Sequence, residues 1–277
     1  MSAVSQGEMR EYKTMDGEVY RGEIQDFNPQ IDKITIRTDG RKIIQLQGDN
    51  LVDEDYIYAR DWDAVRRFSE NTDFRITISG PESRNKWAKY LWYRPPGKRE
   101  PMPTHQNFHN RMSYRIKYDN QTGYDLENVE LKYCIYYNQE RIDHWKEEKV
   151  TDLVMRPVVH KYAIIPDGQN DTFDSASVVL RRKEIFGGED LIYLEGDGNR
   201  LKGEMVGLIF RATIETASGQ STAREIRVPA DLSEEYVWVE PTPENTVWPD
   251  DDLDEREDTQ KPPTRFEEMG GKEDDDE

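Results

Sequence analysis

The residues best suited to chemistry lie in one stretch, residues 84–99, which combines aromatic rings with positive charge. It holds six basic residues and no acidic one, with aromatic residues interleaved among them. Flat aromatic faces beside cations suit a single-stranded nucleic acid, a glycan or an acidic peptide. The candidate binding residues are Trp87, Tyr90, Trp92, Tyr93, Arg94, Lys98 and Arg99.

Two alternatives explain the same stretch without an external ligand. In the first, alternate aromatic residues such as Trp87 and Tyr93 fill the core of a β-sandwich while the basic residues coat its rim. In the second, the acidic C-terminus folds back onto the stretch through an attraction that salt would weaken. Exposure of the aromatic rings would favour an external ligand, and their burial would count against it.

Other residue types associated with catalysis or metal binding are isolated. His105 and His109 are four residues apart, but the Glu of a zinc-binding HExxH helix is absent and nearby prolines favour a loop. Asp197 opens a DGN turn that is similar to part of a calcium loop, but Arg200 follows where a ligand is needed. Cys134 has no base in a recognisable pattern and is expected to be a half-buried structural residue. We therefore expect no catalytic residue, metal or cofactor, and a protein that is not an enzyme.

The charge of the chain is negative and uneven. The formal net charge is −19, and residues 241–277 carry fifteen acidic and four basic residues with five prolines. A segment of this composition buries too little apolar surface to offset the entropy of ordering, so it is predicted to be a disordered acidic tail. The overall charge argues against a protein that coats duplex nucleic acid, which needs a basic footprint.

The compartment is open from the sequence. No run of about 18 apolar residues indicates a membrane span, and the first residues lack the apolar core of a signal peptide. The expectation is export to the periplasm or cell surface if a leader was removed before Met1, and the cytoplasm otherwise. A single cysteine excludes an internal disulfide framework.

The patterning predicts an all-β protein with two domains. Residues 9–60 predict a small barrel of four short strands, with Asp39-Gly40 as a tight hairpin turn and a short helix beginning at Asp53. Residues 61–70 predict a helical linker with Trp62, Val65 and Phe68 roughly on one face.

Residues 71–240 predict an antiparallel β-sandwich. Its centre is an alternating pair of strands, residues 112–118 and 129–137, predicted to form a hairpin. Odd-numbered residues from Val129 to Tyr137 should be buried, and even-numbered ones should face water. Further strands are predicted at 158–165, 172–182, 205–216 and 222–228, and residues 94–103 should form a loop because of their prolines.

The N-terminal segment carries an ordered pattern of residues: Arg10, Tyr12, Asp16, Gly17, Gly22, Ile34, Asp39, Gly40, Leu46, Leu51, Asp55 and Tyr56. This pattern resembles the SH3-like first homology domain of the fungal endocytic adaptor Sla, with departures at Tyr12, where that domain has Trp, and at Leu51-Val52, where it has Leu-Ser. The resemblance implies a binding module, because the adaptor's domain captures short peptides.

Seven or more short strands with polar turns are typical of an immunoglobulin-like sandwich. The stretches at residues 114–137 and 205–232 resemble a β-sandwich that often follows the same barrel in bacterial surface or exported proteins, and this resemblance implies export. Taken together, the sequence predicts a non-catalytic binding or assembly module for a peptide, a protein surface or a cell-envelope component. The alternative is a glycan or single-stranded nucleic-acid binder that uses residues 84–99. A protein or peptide partner is expected, and the oligomeric state is left open.

Overall fold

A computed structural model describes residues 8–93, 102–143, 148–185 and 200–246 of the chain. It confirms the all-β class, because antiparallel strands dominate and one long α-helix interrupts them in these ranges. In chain order the elements are β1 (Arg10–Lys13), β2 (Val19–Asn28), β3 (Lys33–Thr38), β4 (Ile43–Gln47), α1 (Asp53–Ser69), β5 (Phe74–Tyr93), β6 (Met102–Asn120), β7 (Leu126–Asp143), β8 (Glu148–Ile165), β9 (Asn170–Asp174), β10 (Val178–Ile185), β11 (Arg200–Leu201), β12 (Gly203–Glu215) and β13 (Ser221–Val228).

The N-terminal strands form an open sheet in the order β1-β2-β3-β4. One face carries Tyr12, Ile24, Ile34 and Ile36, all 1 % exposed or less. The closed barrel expected here is not formed by the described residues, since β1 and β4 do not pair and only an isolated bridge links Thr14 to Leu51. The chain leaves β4 for a short 3-10 turn and then α1, whose side chains complete this core instead of a further strand.

Helix α1 unites the two helical segments that the sequence predicts separately. It runs without interruption from Asp53 to Ser69 and so crosses the predicted boundary between residues 60 and 61. Acidic residues fill its first turn and basic residues its last, an arrangement that complements the helix dipole. Ala59 and Trp62 pack into the N-terminal core, whereas Phe68 packs into the sandwich core. The helix therefore belongs to both hydrophobic cores.

The C-terminal part is built from two antiparallel sheets. We call the first sheet C: its order is β11-β10-β6-β5, with β9 also paired to β6. The second, sheet D, has the order β13-β12-β7-β8. The core prediction for β7 is confirmed, because Val129, Leu131, Tyr133 and Ile135 are each 0 % exposed and Tyr137 is partly buried. Alternate residues of β6 and β12 complete the same core.

The predicted hairpin between β6 and β7 is wrong, because the two strands lie in different sheets. Their connection crosses from sheet C to sheet D and is held by the fully buried side chain of Asn120. Its Nδ2 lies 2.9–3.0 Å from the carbonyl oxygens of Tyr124, Ile165 and Pro166, and its Oδ1 accepts from the hydroxyl of Thr122 at 2.7 Å. The connection between β6 and β7 is therefore a hydrogen-bonded crossover between the two sheets rather than a tight hairpin turn.

The outer face of β7 is also covered, contrary to the expectation that it meets water. Cys134 and Tyr136 are 0 % exposed beneath residues 229–240, which we call the C-terminal segment. The hydroxyl of Tyr136 donates to the carbonyl of Val237, and Trp238 lies under the guanidinium of Arg211, 4.4 Å from its ring centroid. Cys134 is therefore fully buried rather than half-buried.

Several strand boundaries differ from prediction; β8, for example, begins at Glu148 rather than at residue 158. The single strand predicted at 172–182 is two strands, β9 and β10, which pair with different halves of β6. The chain steps between them at Ser175, whose hydroxyl accepts from the backbone N–H of Tyr114 at 2.9 Å. At the end of the predicted 94–103 loop, Met102 and Pro103 already pair with β5, and residues 94–101 lie outside the described residues.

His160 links acidity to the stability of the sandwich. It lies on β8 with its ring centroid 5.8 Å from that of Tyr133 and 4.9 Å from that of Phe173. Burial lowers the pKa of its imidazole below the ordinary value. The imidazole of His160 therefore binds a proton more tightly in the unfolded chain than in the folded protein. The contribution of neutral His160 to the free energy of unfolding is complete above about pH 6.5, and it is lost as the pH falls through the folded-state pKa.

We therefore predict that the free energy of unfolding in urea decreases between pH 7.5 and pH 5.5, and that His160→Gln reduces this decrease. Urea titrations of both proteins at the two pH values provide the measurement. An identical pH dependence in the variant would contradict the assignment to His160.

Candidate binding surface

One half of sheet C, made of the distal parts of β5 and β6 with β10 and β11, is positively charged. We define the basic arm as residues 82–93 of β5, residues 102–113 of β6, and strands β10 and β11. These segments carry eight Arg and Lys residues and two Glu residues, which gives a formal net charge of +6. The formal net charge of the whole chain is −19. Pairing along β5 and β6 continues to Tyr93 and Met102, which keeps the arm an ordered sheet.

The base of the arm is fixed by polar contacts of Arg84. Its Nε donates to the hydroxyl of Ser113 at 2.6 Å, and its guanidinium pairs with Asp174 and with Glu82. Arg115 approaches the same two carboxylates at 3.5 and 3.8 Å. Arg84 therefore holds the arm to β9.

Aromatic and basic side chains meet in a groove of about 600 Å³ on the arm. Phe108 lies under the guanidinium of Arg182, 4.7 Å from its ring centroid. Arg182 is 56 % exposed and also pairs with Glu184 at 2.8 Å. The groove is lined by Lys86, Trp87, Ala88, Phe108, His109, Asn110, Leu180, Arg181, Arg182 and Gly203.

Trp87 is placed in this groove but does not present a free ring. Its indole is half-buried and stacks almost parallel to His109, with ring centroids 5.1 Å apart and planes inclined by 9°. The guanidinium of Arg111 lies 5.6 Å from the centroid of the same indole. His109 is 4 % exposed and lies on a strand, so the loop expected around it is wrong.

The remaining predicted site residues divide into two groups. Tyr90 is half-buried, and its hydroxyl accepts from the side-chain amide of Gln106 at 2.5 Å. Trp92 and Tyr93 lie on β5, where they pair with Pro103 and Met102. Arg94, Lys98 and Arg99 lie outside the described residues.

Sequence reasoning missed the half of the surface that comes from distant strands. Phe108 and His109 lie on β6, and Arg181 and Arg182 on β10, directly across the ladder from them. The signal for β10 was present as the sequence VVLRRKEI, in which a basic cluster follows three apolar residues. It did not indicate that this cluster would lie beside residues 86–88.

A second polar centre lies where α1 meets the sandwich. The carboxylate of Asp63 is 0 % exposed, and it pairs with Arg66 at 2.6 Å and Arg67 at 2.8 Å. It also accepts from the hydroxyl of Tyr124 at 2.9 Å, and burial together with the charge of Asp63 raises the pKa of that phenol. Arg67 donates to the carbonyl of Thr122 at 3.1 Å. The network ties the helix to the connection between the sheets.

Further contacts fix the other side of the helix. The buried guanidinium of Arg224 on β13 donates to the carbonyls of Phe68 at 3.0 Å and Phe74 at 2.5 Å, and burial lowers its pKa. Asp61 accepts from the backbone N–H of Ser218 at 3.1 Å. These polar groups stabilise the joint between α1 and sheet D.

Three groups of types often used in catalysis, Asp55, Asp61 and Cys134, are paired or buried. Asp55 pairs with Arg10 at 2.8 Å and Asp61 with Arg60 at 3.3 Å. Burial raises the pKa of the Cys134 thiol to about 11, which keeps it protonated and poorly nucleophilic. Within the described ranges, no group of three or more His, Cys, Asp and Glu side chains is placed to hold a metal ion. Among the described residues, no helix, including α1, has the length and apolar character needed to cross a membrane.

Comparisons with known proteins show no family for this chain. No protein-family model matches it, and no curated protein matches it. Among solved structures, the X-ray structure of Northeast Structural Genomics Consortium target SoR45 is similar at 10 % identity, with 62 % of this chain and 96 % of that chain covered. The TM-score is 0.20, which is too low to carry any argument about fold or function.

Proposed function

We propose that the protein is a non-catalytic binding module whose basic arm holds an acidic segment of a protein partner. The observation that carries the proposal is the concentration of positive charge around the aromatic groove, a net of +6 on one arm of an acidic protein. Such segregated charge attracts acidic partners and increases their association rate.

The geometry favours a peptide over a ligand that needs stacking. A base or sugar requires an accessible aromatic face, but the Trp87 ring is half-buried against His109 and Arg111. An extended acidic peptide needs only cations at intervals and an apolar floor. Lys86 and Arg182 supply the cations, and Phe108 and Ala88 supply the apolar floor.

Resemblance supports the same class of function for the whole chain. The peptide-capturing SH3-like module that residues 9–60 resemble and the immunoglobulin-like sandwich that residues 71–240 resemble both serve as rigid frameworks for recognition. Export to the cell envelope is part of this proposal, and it rests on the second resemblance alone.

The test uses Lys86→Glu combined with Arg182→Glu in the full chain. A fluorescein-labelled poly-glutamate peptide with one central Phe is titrated with each protein by fluorescence anisotropy. We expect the double reversal to weaken binding roughly tenfold, about 1.4 kcal/mol, because exposed charge pairs contribute a few tenths to 1 kcal/mol each. Binding should also weaken as salt is raised.

The matched control is Arg75→Glu combined with Lys117→Glu, two exposed cations on the part of sheet C outside the arm. This variant has the same net charge and should bind the peptide like the unchanged protein. Equal weakening by both variants would show a non-specific charge effect and contradict the site. Tighter binding of a single-stranded oligonucleotide or an uncharged glycan than of the peptide would favour the alternative function.

A further inference from the structure

We infer that the C-terminal residues 247–277 of this same chain are an occupant of the basic arm, so that the protein covers its own binding surface. The inference rests on the proposed function and adds its regulation. It follows from three features: the charge of the two segments, the distribution of apolar residues in them, and the length of chain available.

The two segments carry net charges of opposite sign. Residues 247–277 contain fourteen acidic and four basic residues, a net of −10, against +6 on the basic arm. The arm is therefore the natural counterpart within this chain, because most of the rest of the protein is itself acidic. At physiological ionic strength such attraction acts over about 8 Å, so it requires direct contact between the two segments.

The apolar residues are complementary as well. In the C-terminal residues, Phe266 and Met269 flank the acidic pair Glu267 and Glu268. The groove offers the ring of Phe108 and the side chains of Ala88 and Leu180 between its cations. An apolar side chain on this floor would place neighbouring carboxylates beside Lys86 and Arg182. The contact would then combine apolar burial with charge pairing.

The chain is long enough to reach the arm. The described part ends at Thr246, just after the C-terminal segment crosses the outer face of sheet D. Thirty-one further residues span up to about 100 Å when extended. A strand of twenty residues, the length of β5, spans roughly 66 Å. Glu267 lies twenty-one residues beyond Thr246 and can reach roughly 70 Å from it, so the acidic residues from Glu267 onward can reach the arm.

If residues 247–277 occupy the basic arm, an external partner can bind there only after displacing them. A tethered segment has an effective concentration in the millimolar range when the linker matches the span, so an external acidic partner must outcompete it. Neutralising the acidic residues of the tether should therefore expose the arm to peptides added in solution.

The experiment compares the full chain with a variant in which the seven acidic residues from Glu267 to Glu277 are changed to Asn or Gln. The probe is a fluorescein-labelled synthetic peptide of residues 247–277. We expect the variant to bind it roughly tenfold more tightly than the unchanged chain, because its own tether no longer competes. Lys86→Glu with Arg182→Glu should weaken binding in both backgrounds, and Arg75→Glu with Lys117→Glu should not.

Carbodiimide cross-linking gives an independent readout. In the unchanged monomer, amide bonds from carboxylates of residues 267–277 should concentrate on Lys86, Lys89 and Lys183. The inference would be overturned by equal peptide affinity of the unchanged chain and the neutralised variant. It would also be overturned by cross-links scattered over the N-terminal sheet and the sandwich, or by cross-links found only in dimers. If the poly-glutamate peptide still requires Lys86 and Arg182 in that case, the proposed function stands alone; if it does not, both fail.

Discussion

Replacing Ile135 with Asp is expected to leave the sandwich unfolded. The side chain is 0 % exposed on β7, between the two sheets, and belongs to the core with Tyr133 and Phe210. An unpaired carboxylate there would lose its hydration without gaining a partner, at a cost of several kcal/mol. That cost is comparable with the 5–15 kcal/mol of stability typical of a whole domain.

Near-ultraviolet circular dichroism and the cooperativity of thermal unfolding provide the measurement. Ile135→Val is the conservative control and should cost about 0.5–1.5 kcal/mol while retaining the fold. Thr77→Asp adds the same charge at an exposed position of sheet C and should be nearly neutral. A cooperatively melting Ile135→Asp protein with native ellipticity would contradict the placement of β7 between two layers.

Removing the carboxylate of Asp63 should have the second-largest effect. Its replacement by Ala deprives Arg66, Arg67 and the hydroxyl of Tyr124 of their shared acceptor. Breaking a buried ion pair from one side costs 3–5 kcal/mol, but these guanidinium groups retain about a quarter of their exposure to water. We therefore expect a loss of about 2–4 kcal/mol, or roughly 5–15 °C in Tm.

Differential scanning calorimetry measures this loss. Asp53→Ala is the matched control, since Asp53 is an exposed acid in the first turn of the same helix and its loss should cost less than about 1 kcal/mol. If the two variants lost the same stability, the Asp63 network would contribute nothing beyond an exposed helical charge.

Local sequence pattern predicted the strands because side-chain direction repeats every two residues. The alternation from Val129 to Ile135 identified buried positions correctly, since burial of one face depends only on that period. Strand partners were not predictable in the same way. A backbone ladder carries little sequence signature, so nothing in residues 112–137 indicated that β6 and β7 would separate into two sheets.

The covering of Cys134 and Tyr136 illustrates a different limit. Both residues are compatible with a half-exposed strand, and the decisive contacts come from Leu232 and Trp238, about a hundred residues later. The candidate surface shows the same limit, because residues 84–93 supply one strand of the groove and β6 and β10 supply the others. Long-range juxtaposition, rather than residue type, was the missing information.

A helix that is counted in two cores also constrains how such a chain can be rearranged. Trp62 packs into the core of the N-terminal sheet and Phe68 packs into the core of the sandwich. Removing either part of the protein would therefore expose apolar rings in the part that remains. Gene fusions that divide the chain at the middle of α1 would separate residues whose shielding from water depends on both neighbours. Recombination is therefore expected to exchange the N-terminal sheet, α1 and the sandwich together.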